Sequence, residues 1–258
     1  MNGYEQDRDI ERQRYNARAE LRACNLPGGP DGADGVNLVF RRPYLVFENL
    51  IRQIVHSEID VLDVCCGDGI HSLTAARLGA KVTASDLAEQ NLVVAQARAF
   101  RAGLPITTLV ANAESLPIPD QSLDIVTCVG SLSFVDLDLF LCEIIRVLRP
   151  GGTFLFVDSL NHNPIYRLNR WRHYRQGNRS LSTLRRMPTL GTLQRIRRDF
   201  PDLQVSCHGV FSFLAPLLRV LGTERAARWL DWADQQFHWL HRYAFKIVGV
   251  GHKPGGSN

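Results

Sequence analysis

The distribution of apolar and polar residues along the chain predicts alternating strands and helices. Short, nearly continuous apolar segments occur at 59–64, 81–85, 106–110, 123–129 and 153–157. A charged segment that reads as a helix precedes them at 5–23, a helix with apolar residues at helical spacing follows at 44–56, and further helices are predicted at 70–78, 88–102 and 136–148. Strands that are apolar on both faces and alternate with helices are typical of a parallel sheet covered by helices on both sides. The pattern therefore predicts an α/β fold.

The pattern changes after residue 158. Residues 160–200 look helical, 203–207 and 244–251 have the character of strands, and 211–241 reads as a pair of helices. The simplest organisation is a single domain over 1–258. In it, N-terminal helices (1–58) precede a core (59–158), a basic helical cap (159–200) follows the fifth strand, and strands and helices of 201–258 complete the domain.

Composition narrows the class of protein. The chain has 258 residues, of which 45% are hydrophobic and 22% charged, and this is typical of a soluble globular domain. The six cysteines include no C-x-x-C pair and no Cys/His set at zinc-ligand spacing. The N-terminus is dense in charge and does not resemble a secretory signal. We therefore expect reduced thiols, no metal site and a cytoplasmic location.

The loop after the first strand is the first candidate for a binding site. Parallel sheets bind ligands at the carboxyl ends of their strands, where the strand order reverses. Here that loop runs Asp63-Val64-Cys65-Cys66-Gly67-Asp68-Gly69, and its small residues let the backbone turn tightly and approach a ligand. A helix predicted from residue 70 would offer free N–H groups to an anionic group. Cys65, Cys66 and His71 are predicted to be packing residues rather than reactive groups.

Two polar positions at the ends of the next strands strengthen this hypothesis. The second strand ends at Asp86, and an acid there can accept hydrogen bonds from both hydroxyls of a ribose. The third strand leads to Asn112, which can meet the edge of an adenine and accept a hydrogen bond through its amide oxygen. The sequence therefore predicts a site for an adenine nucleoside.

Residues 59–160 resemble the class I methyltransferases, in particular the type 11 group similar to the ubiquinone-biosynthesis enzymes. The acid-x-Gly-x-Gly-x-Gly loop of that family is matched at Asp63, Gly67 and Gly69, with Cys65 in place of the first glycine. Residues 143–152, which end in Pro150-Gly151-Gly152, are also similar to the family's helix and turn before the fifth strand.

The resemblance implies S-adenosylmethionine as the cofactor. It also implies a Rossmann-like, seven-stranded, mostly parallel sheet with an antiparallel last strand. The residues that it assigns to the cofactor are Asp63, Cys65, Gly67, Gly69, Asp86, Leu87, Asn112, Ala113, Glu114, Val129 and Tyr15. Tyr15 comes from the N-terminal helix, where ordinary packing is the alternative role. A dinucleotide-binding domain is a competing interpretation, but Ser72 stands where its G-x-G-x-x-G fingerprint needs the third glycine.

The cap carries a one-signed cluster of charge, because 159–198 contains no Asp or Glu but many arginines: Arg167, Arg170, Arg172, Arg175, Arg179, Arg185, Arg186, Arg195, Arg197 and Arg198. Such a cluster attracts anionic partners, and guanidinium groups bind phosphate. We predict substrate contacts from Tyr166, Arg170, Trp171 and Arg175. The cap also resembles that of methyltransferases associated with bacterial surface polysaccharides. This implies O-methylation of a sugar hydroxyl on a nucleotide-linked or lipid-linked, phosphorylated acceptor.

Two residues after the fifth strand are candidates for general catalysis. His162 is preferred as the base because an unperturbed imidazole titrates near neutral pH. Asp158 is the second candidate. A packing or capping role for His162 stays equally open.

Three other functions remain open. Trp229, Trp232 and Trp239 could serve a lipid or quinone acceptor, or a peripheral membrane contact. The pattern argues against nucleic acid, because an Asn/Asp-Pro-Pro-Tyr segment does not follow the fourth strand. A non-catalytic cofactor-binding module is the alternative of another class. The sequence leaves the acceptor atom and the oligomeric state undetermined.

Overall fold

The computed structural model describes residues 3–23, 37–176, 180–218, 220 and 222–255. In this part of the chain seven strands form one sheet in the order β3-β2-β1-β4-β5-β7-β6, and β7 runs antiparallel to both of its neighbours. The predicted fold class is confirmed. The strands are β1 (Asp60–Val64), β2 (Lys81–Asp86), β3 (Thr107–Val110), β4 (Leu123–Val129), β5 (Leu148–Ser159), β6 (Gln204–His208) and β7 (Lys246–His252).

The central strands are apolar on both faces because each face packs on its own hydrophobic core. Alternate residues of β5 separate cleanly: Phe154 and Phe156 belong to one buried cluster, and Leu155 and Val157 belong to the other. All four side chains are fully buried. This two-sided burial is the physical reason for the nearly continuous apolar segments in the sequence.

Helices cover both faces of the sheet and its carboxyl edge. They are α1 (Gly3–Ala23), α2 (Arg42–Ile54), α3 (Ser72–Ala76), α4 (Glu89–Ala102), α5 (Leu137–Val147), α6 (Pro164–Arg175), α7 (Leu181–Arg185), α8 (Leu190–Asp199), α9 (Ala215–Leu218) and α10 (Thr223–Gln236). Single turns of 3-10 helix occupy Leu38–Phe40 and Ser212–Leu214, and a longer one occupies His238–Tyr243.

Three predicted boundaries were wrong. The helix expected over 70–78 is the five-residue α3, which begins only after the glycine loop has turned. The fifth strand begins at Leu148, not at 153, because Leu148 already pairs with Leu123; a register irregularity follows, and pairing resumes between Ile125 and Thr153. The pair of helices expected over 211–241 is α9 and α10 with 3-10 turns at both ends.

The N-terminal helix and the cap together form a roof over the carboxyl ends of the strands. Asn16 of α1 accepts a hydrogen bond from the backbone N–H of Gln90 at 3.2 Å and so holds α1 on α4. The Thr183 hydroxyl of α7 donates to Oε1 of Glu11 at 3.3 Å and so joins the cap to α1. Among the described helices, none has the length and apolar character to cross a bilayer.

Candidate functional site

The glycine loop follows β1 in a left-handed conformation at three positions: φ is +54° at Cys65, +56° at Gly67 and +73° at Gly69. The two glycines differ in what surrounds them. A Cβ at Gly67 would meet no atom within 4 Å, whereas a Cβ at Gly69 would lie 2.6 Å from Cβ of Ala95 on α4. Gly67 therefore leaves room for a ligand, and Gly69 leaves room for a helix.

Asp86 ties this loop to the end of β2. Its Oδ2 accepts a hydrogen bond from the N–H of Gly67 at 2.9 Å, and its Oδ1 accepts one from the N–H of Ala88 at 2.8 Å. Burial raises the pKa of this carboxyl, and the hydrogen bonds from Ala88 and Gly67 oppose that shift. The side chain of Asn91 and the N–H of Leu87 also donate to this carboxylate, so a ligand's hydroxyls would share its roughly four acceptor sites with these donors.

A cavity of about 450 Å³ opens between the strand ends and the roof. This lies within the usual size range of small-molecule sites, roughly 300–1,000 Å³. Of the predicted cofactor residues, Gly69 alone is outside its lining. Those that line it are Tyr15, Asp63, Cys65, Gly67, Asp86, Leu87, Asn112, Ala113, Glu114 and Val129.

Asp63 lies at the base of this cavity and is 2% exposed. Its carboxylate accepts hydrogen bonds from the hydroxyls of Ser72 at 2.5 Å and Thr127 at 2.9 Å. Burial raises its pKa to about 6, against the lowering effect of those two hydrogen bonds. The group therefore stays mostly ionised at neutral pH, and it places a negative charge beneath the loop.

The side of the cavity that the sequence hypothesis assigns to adenine is formed by a tight turn after β3. Oδ1 of Asn112 accepts a hydrogen bond from the N–H of Glu114 at 3.1 Å. In turn, Oε1 of Glu114 accepts one from the N–H of Asp136 at 2.7 Å. The sequence hypothesis used the amide oxygen of Asn112 as the acceptor for a ligand. In the structure that oxygen already fixes the turn, so the NH₂ group is the better placed contact.

The cysteines of the loop are chemically quiet. Burial raises the pKa of Cys66 and of Cys65, and the carboxylates of Asp63 and Asp86 raise both further. Both therefore stay thiols at neutral pH. This favours the packing role that the sequence suggested over a thiolate nucleophile.

The two predicted catalytic residues do not line the cavity. Asp158 is buried at the end of β5, where its carboxylate accepts hydrogen bonds from the N–H groups of Leu132 at 2.9 Å and Ser159 at 2.6 Å. His162 accepts a hydrogen bond through Nε2 from the N–H of Leu190 at 3.0 Å, at the first residue of α8. Their catalytic roles stay predictions. The contacts that the structure shows are those of groups that position loops.

The predicted substrate contacts on α6 also lie outside the cavity lining. Arg170 is 5% exposed and donates to the carbonyl of Leu160 and to Oδ1 of Asn161, both at 3.0 Å. Tyr166 hydrogen-bonds Ser212, and its ring lies 4.3 Å from that of Phe245. At the surface, the guanidinium carbon of Arg175 lies 5.0 Å from the centre of the Trp171 ring. Substrate contact by these four residues stays a prediction.

Other side chains complete the cavity wall. The cap lines the cavity with α7 and the residue after it, not with α6, through Ser182, Thr183 and Arg186. The remaining lining residues are Glu11, Arg12, Tyr44, Cys66, Asp68, Ile70, His71, Ala88, Asn91, Ala111, Gly130, Ser131, Phe134 and Val135. Arg186 belonged to the predicted arginine cluster. Glu11 and Tyr44 gave no signal in the sequence, because only tertiary packing brings their helices to the glycine loop.

The chain is similar to known methyltransferases through its core. Residues 62–156 match the model of the family described as "Methyltransferase domain". A ubiquinone biosynthesis O-methyltransferase of Xanthomonas euvesicatoria is 40% identical over 106 residues, which are 40% of this chain and 44% of that protein. The curated relatives that match are thus spanned over less than half of their length.

Solved structures extend the likeness of the fold to nearly the whole chain. The [4+2]-cyclase SpnF is 17% identical with a TM-score of 0.64, and the alignment covers 97% of both chains. Geranyl diphosphate C-methyltransferase from Streptomyces coelicolor, in complex with S-adenosyl-L-homocysteine, is 15% identical with a TM-score of 0.57, over 83% of this chain and 77% of that one. At these identities the likeness concerns the fold alone.

The predicted resemblance to class I methyltransferases is confirmed by the family match and the sheet topology. The prediction of S-adenosylmethionine is confirmed with it, because that is the cofactor of the family. Within the described ranges, no cluster of three His, Cys, Asp or Glu side chains is placed to hold a metal ion.

Proposed function

We propose that this chain, whose residues 62–156 carry a methyltransferase domain, moves the methyl group of S-adenosylmethionine to an oxygen of a small polar acceptor. The observation that carries the proposal is the pairing of Asp86 with the open loop position Gly67 at the floor of one large cavity. The acceptor that we favour is a sugar hydroxyl of a nucleotide-linked or lipid-linked glycan.

The residues fit this cofactor. Asp86 offers a carboxylate to the two ribose hydroxyls, and Asn112 with Ala113 provides the edge for adenine. Tyr15 covers the cavity from α1, held edge-on against Phe134 with ring centres 5.7 Å apart. When bound, the cofactor supplies a methyl group that is already activated by its sulfonium sulfur.

The acceptor would lie against the roof. There α1 contributes Glu11 and Arg12, and α7 contributes Ser182 and Thr183, with Arg186 directly after it. Carboxylate and hydroxyl groups hydrogen-bond sugar hydroxyls, while guanidinium groups bind phosphate. This combination supports a phosphorylated sugar better than it supports a purely apolar acceptor.

The transfer breaks the S–CH₃ bond, forms an O–CH₃ bond and releases the proton of the acceptor hydroxyl. Holding the two partners in line lowers the barrier, because orientation can supply roughly 7–11 kcal/mol of it. We assign the proton to Glu11, a carboxylate of the roof that is 8% exposed and lines the cavity. His162 is the alternative base that the sequence suggested.

Two observations support other functions of the same site. The 40% identity to a ubiquinone biosynthesis O-methyltransferase favours a quinone-like acceptor as the second candidate. The likeness to SpnF over 97% of both chains shows that this fold also hosts a cyclase. Cofactor binding without methyl transfer is therefore the alternative of another class.

A screen with cofactor labelled in the methyl group separates these functions. The acceptors are nucleoside-diphosphate sugars, a polyprenyl-phosphate sugar, a soluble quinol and RNA. Label in a sugar product, lost in Asp86→Ala, supports the proposal. Label in the quinol alone would replace the sugar with a quinol as the acceptor. Label in none of the acceptors, with cofactor binding retained in calorimetry, would contradict methyl transfer and favour cofactor binding without catalysis.

A further inference from the structure

His71 is a cavity residue whose side chain has no role in the site described so far. Its ring lies parallel to that of Tyr44, with centres 5.6 Å apart and an interplanar angle of 4°, and edge-on to Phe47 at the same centre distance. Two aromatic rings of α2 therefore fix its orientation. The sequence hypothesis treated His71 as a packing residue, but packing does not explain a polar ring on the wall of the cavity.

The two nitrogens of this imidazole differ in their surroundings. Nδ1 is completely buried and, among the described residues, has no hydrogen-bond partner. A buried N–H without an acceptor is rarer and more costly than a buried lone pair without a donor. The proton of the neutral ring therefore belongs on Nε2, on the edge that is left to face the cavity.

Burial keeps the His71 ring neutral. Burial lowers the pKa of His71 to about 4; Asp68 in the glycine loop opposes this shift, and Lys246 of β7 adds to it. Tyr44 of α2 lies between His71 and Lys246: its ring is parallel to that of His71, and Nζ of Lys246 lies 5.5 Å from its centre. An imidazole with so low a pKa is a poor proton acceptor at neutral pH but still a hydrogen-bond donor.

The neighbours of His71 lie on the other side of β1 from the residues assigned to the nucleoside. Asp86 and Asn112, which would hold the nucleoside, follow β2 and β3 on one side of β1. The neighbours of His71 connect it to β7, which lies beyond β4 and β5 on the other side. Lys246 does not itself line the cavity; its positive charge lies against the ring of Tyr44.

We propose that His71 is a specificity-determining residue that donates a hydrogen bond from Nε2 to an anionic oxygen of the acceptor, either a phosphate or a carboxylate. The inference rests on the proposed function only in calling this ligand the acceptor. It predicts a neutral donor where the sequence suggests a spare packing residue, and it leaves proton removal to another group.

Nitrogen NMR of the ¹⁵N-labelled protein tests the protonation state without any turnover. The His71 signals are assigned by their loss in His71→Phe. We expect the Nε2–H tautomer, with no imidazolium from pH 5.5 to 8. The ¹⁵N chemical shift of Nε2 should not change when S-adenosylhomocysteine binds. It should then change on titration with inorganic phosphate or acetate, and the anion that gives the larger change identifies the acceptor group as a phosphate or a carboxylate. A proton on Nδ1, an imidazolium at pH 6.5, a response completed by S-adenosylhomocysteine alone, or no response to either anion overturns the inference.

Two substitutions at His71 test the contribution of its N–H donor separately from that of its aromatic ring. His71→Gln keeps an N–H donor, whereas His71→Phe keeps the flat ring and loses the donor. We expect the Kd of the more responsive anion, on protein loaded with S-adenosylhomocysteine, to rise roughly three- to tenfold in His71→Phe and to change little in His71→Gln. The affinity for S-adenosylhomocysteine should not change in either variant. The exposed His56 gives the matched control, His56→Gln.

Equal anion affinity in His71→Phe and wild type would overturn the inference, as would a parallel loss of S-adenosylhomocysteine affinity, which would make His71 a cofactor ligand. These readouts do not depend on methyl transfer. A failed acceptor screen therefore leaves them standing, and a failed donor test leaves the proposed methyltransferase standing.

Discussion

The N–H of Gly67 donates a hydrogen bond to the carboxylate of Asp86 across 2.9 Å, so the end of β2 closes the loop that follows β1. The same carboxylate is the group expected to hold the ribose. Loop closure and ligand recognition therefore share one side chain, and the two can be separated only by comparing substitutions there.

We expect Asp86→Ala to weaken binding of S-adenosylmethionine by about 10²-fold or more, because hydrogen bonds to a charged group contribute roughly 1.5–3 kcal/mol each. Asp86→Asn should fall between this variant and wild type, since it keeps one oxygen acceptor. Isothermal calorimetry measures both, with the exposed Asp120→Ala as the control. Unchanged affinity in Asp86→Ala would remove the assigned contact.

The two glycines of the loop should respond differently to alanine. In Gly69→Ala the new methyl group meets Ala95 at 2.6 Å, so we expect a loss of about 1–3 kcal/mol of stability in addition to the left-handed backbone cost of roughly 1–2 kcal/mol. In Gly67→Ala the methyl group points into open space, so the fold should lose only the left-handed backbone cost of roughly 1–2 kcal/mol, while cofactor affinity falls.

Thermal unfolding and calorimetry together check this contrast. Ala95→Gly in the Gly69→Ala background should recover part of the lost stability, because it removes the methyl group that clashes. Equal changes in Tm and in affinity for both variants would contradict the division of roles.

The raised pKa of Asp63 should destabilise the ligand-free protein as the pH rises. The folded state still holds a proton at about pH 6 that the unfolded chain releases near pH 3.8, so stability is lost between about pH 4 and 6 and does not change further above that. The whole loss amounts to about 3 kcal/mol. Urea unfolding at intervals from pH 4.5 to 7 should show a flatter curve for Asp63→Asn than for wild type. Parallel curves would mean that Asp63 has an ordinary pKa.

The assignment of the base predicts that Glu11→Gln lowers kcat by roughly 10²–10⁴-fold and spares the affinity for the cofactor. Glu20→Gln, an exposed carboxylate of the same helix, is the matched control. A wild-type rate in Glu11→Gln would return His162 to consideration. His162→Gln would then be the decisive variant in the same assay.

The strands could be predicted because their apolar segments report burial on two faces. For β4 the predicted and observed bounds agree, and Ile125 and Val126 pack into opposite cores. The beginning of β5 was missed because a Pro-Gly-Gly sequence usually ends pairing. Here Leu123 pairs with Leu148, and the strand continues through a register irregularity to the pairing of Ile125 with Thr153.

The site was predictable to the extent that it depends on a continuous motif. Asp63, Gly67 and Asp86 lie at strand ends that the apolar pattern locates, and all three line the cavity. The cap was harder to predict, because the sequence shows its positive charge but not which way its arginine side chains point. Arg170 is turned inward to the carbonyl of Leu160, while Arg186 of the same cluster reaches the cavity. Only the packing of α6 and α7 decides between them.

The roof and the floor of the cavity come from differently arranged parts of the sequence. The floor comes from one continuous stretch between β1 and β4, whereas the roof is made by segments that are far apart in sequence and meet at the hydrogen bond between Thr183 and Glu11. Changes in α1 and α7 can therefore remodel what the cavity admits while the nucleoside cradle stays intact. Such a division would let a lineage, or a protein engineer, exchange acceptors by replacing the 21-residue α1 and the five-residue α7 on an unaltered core.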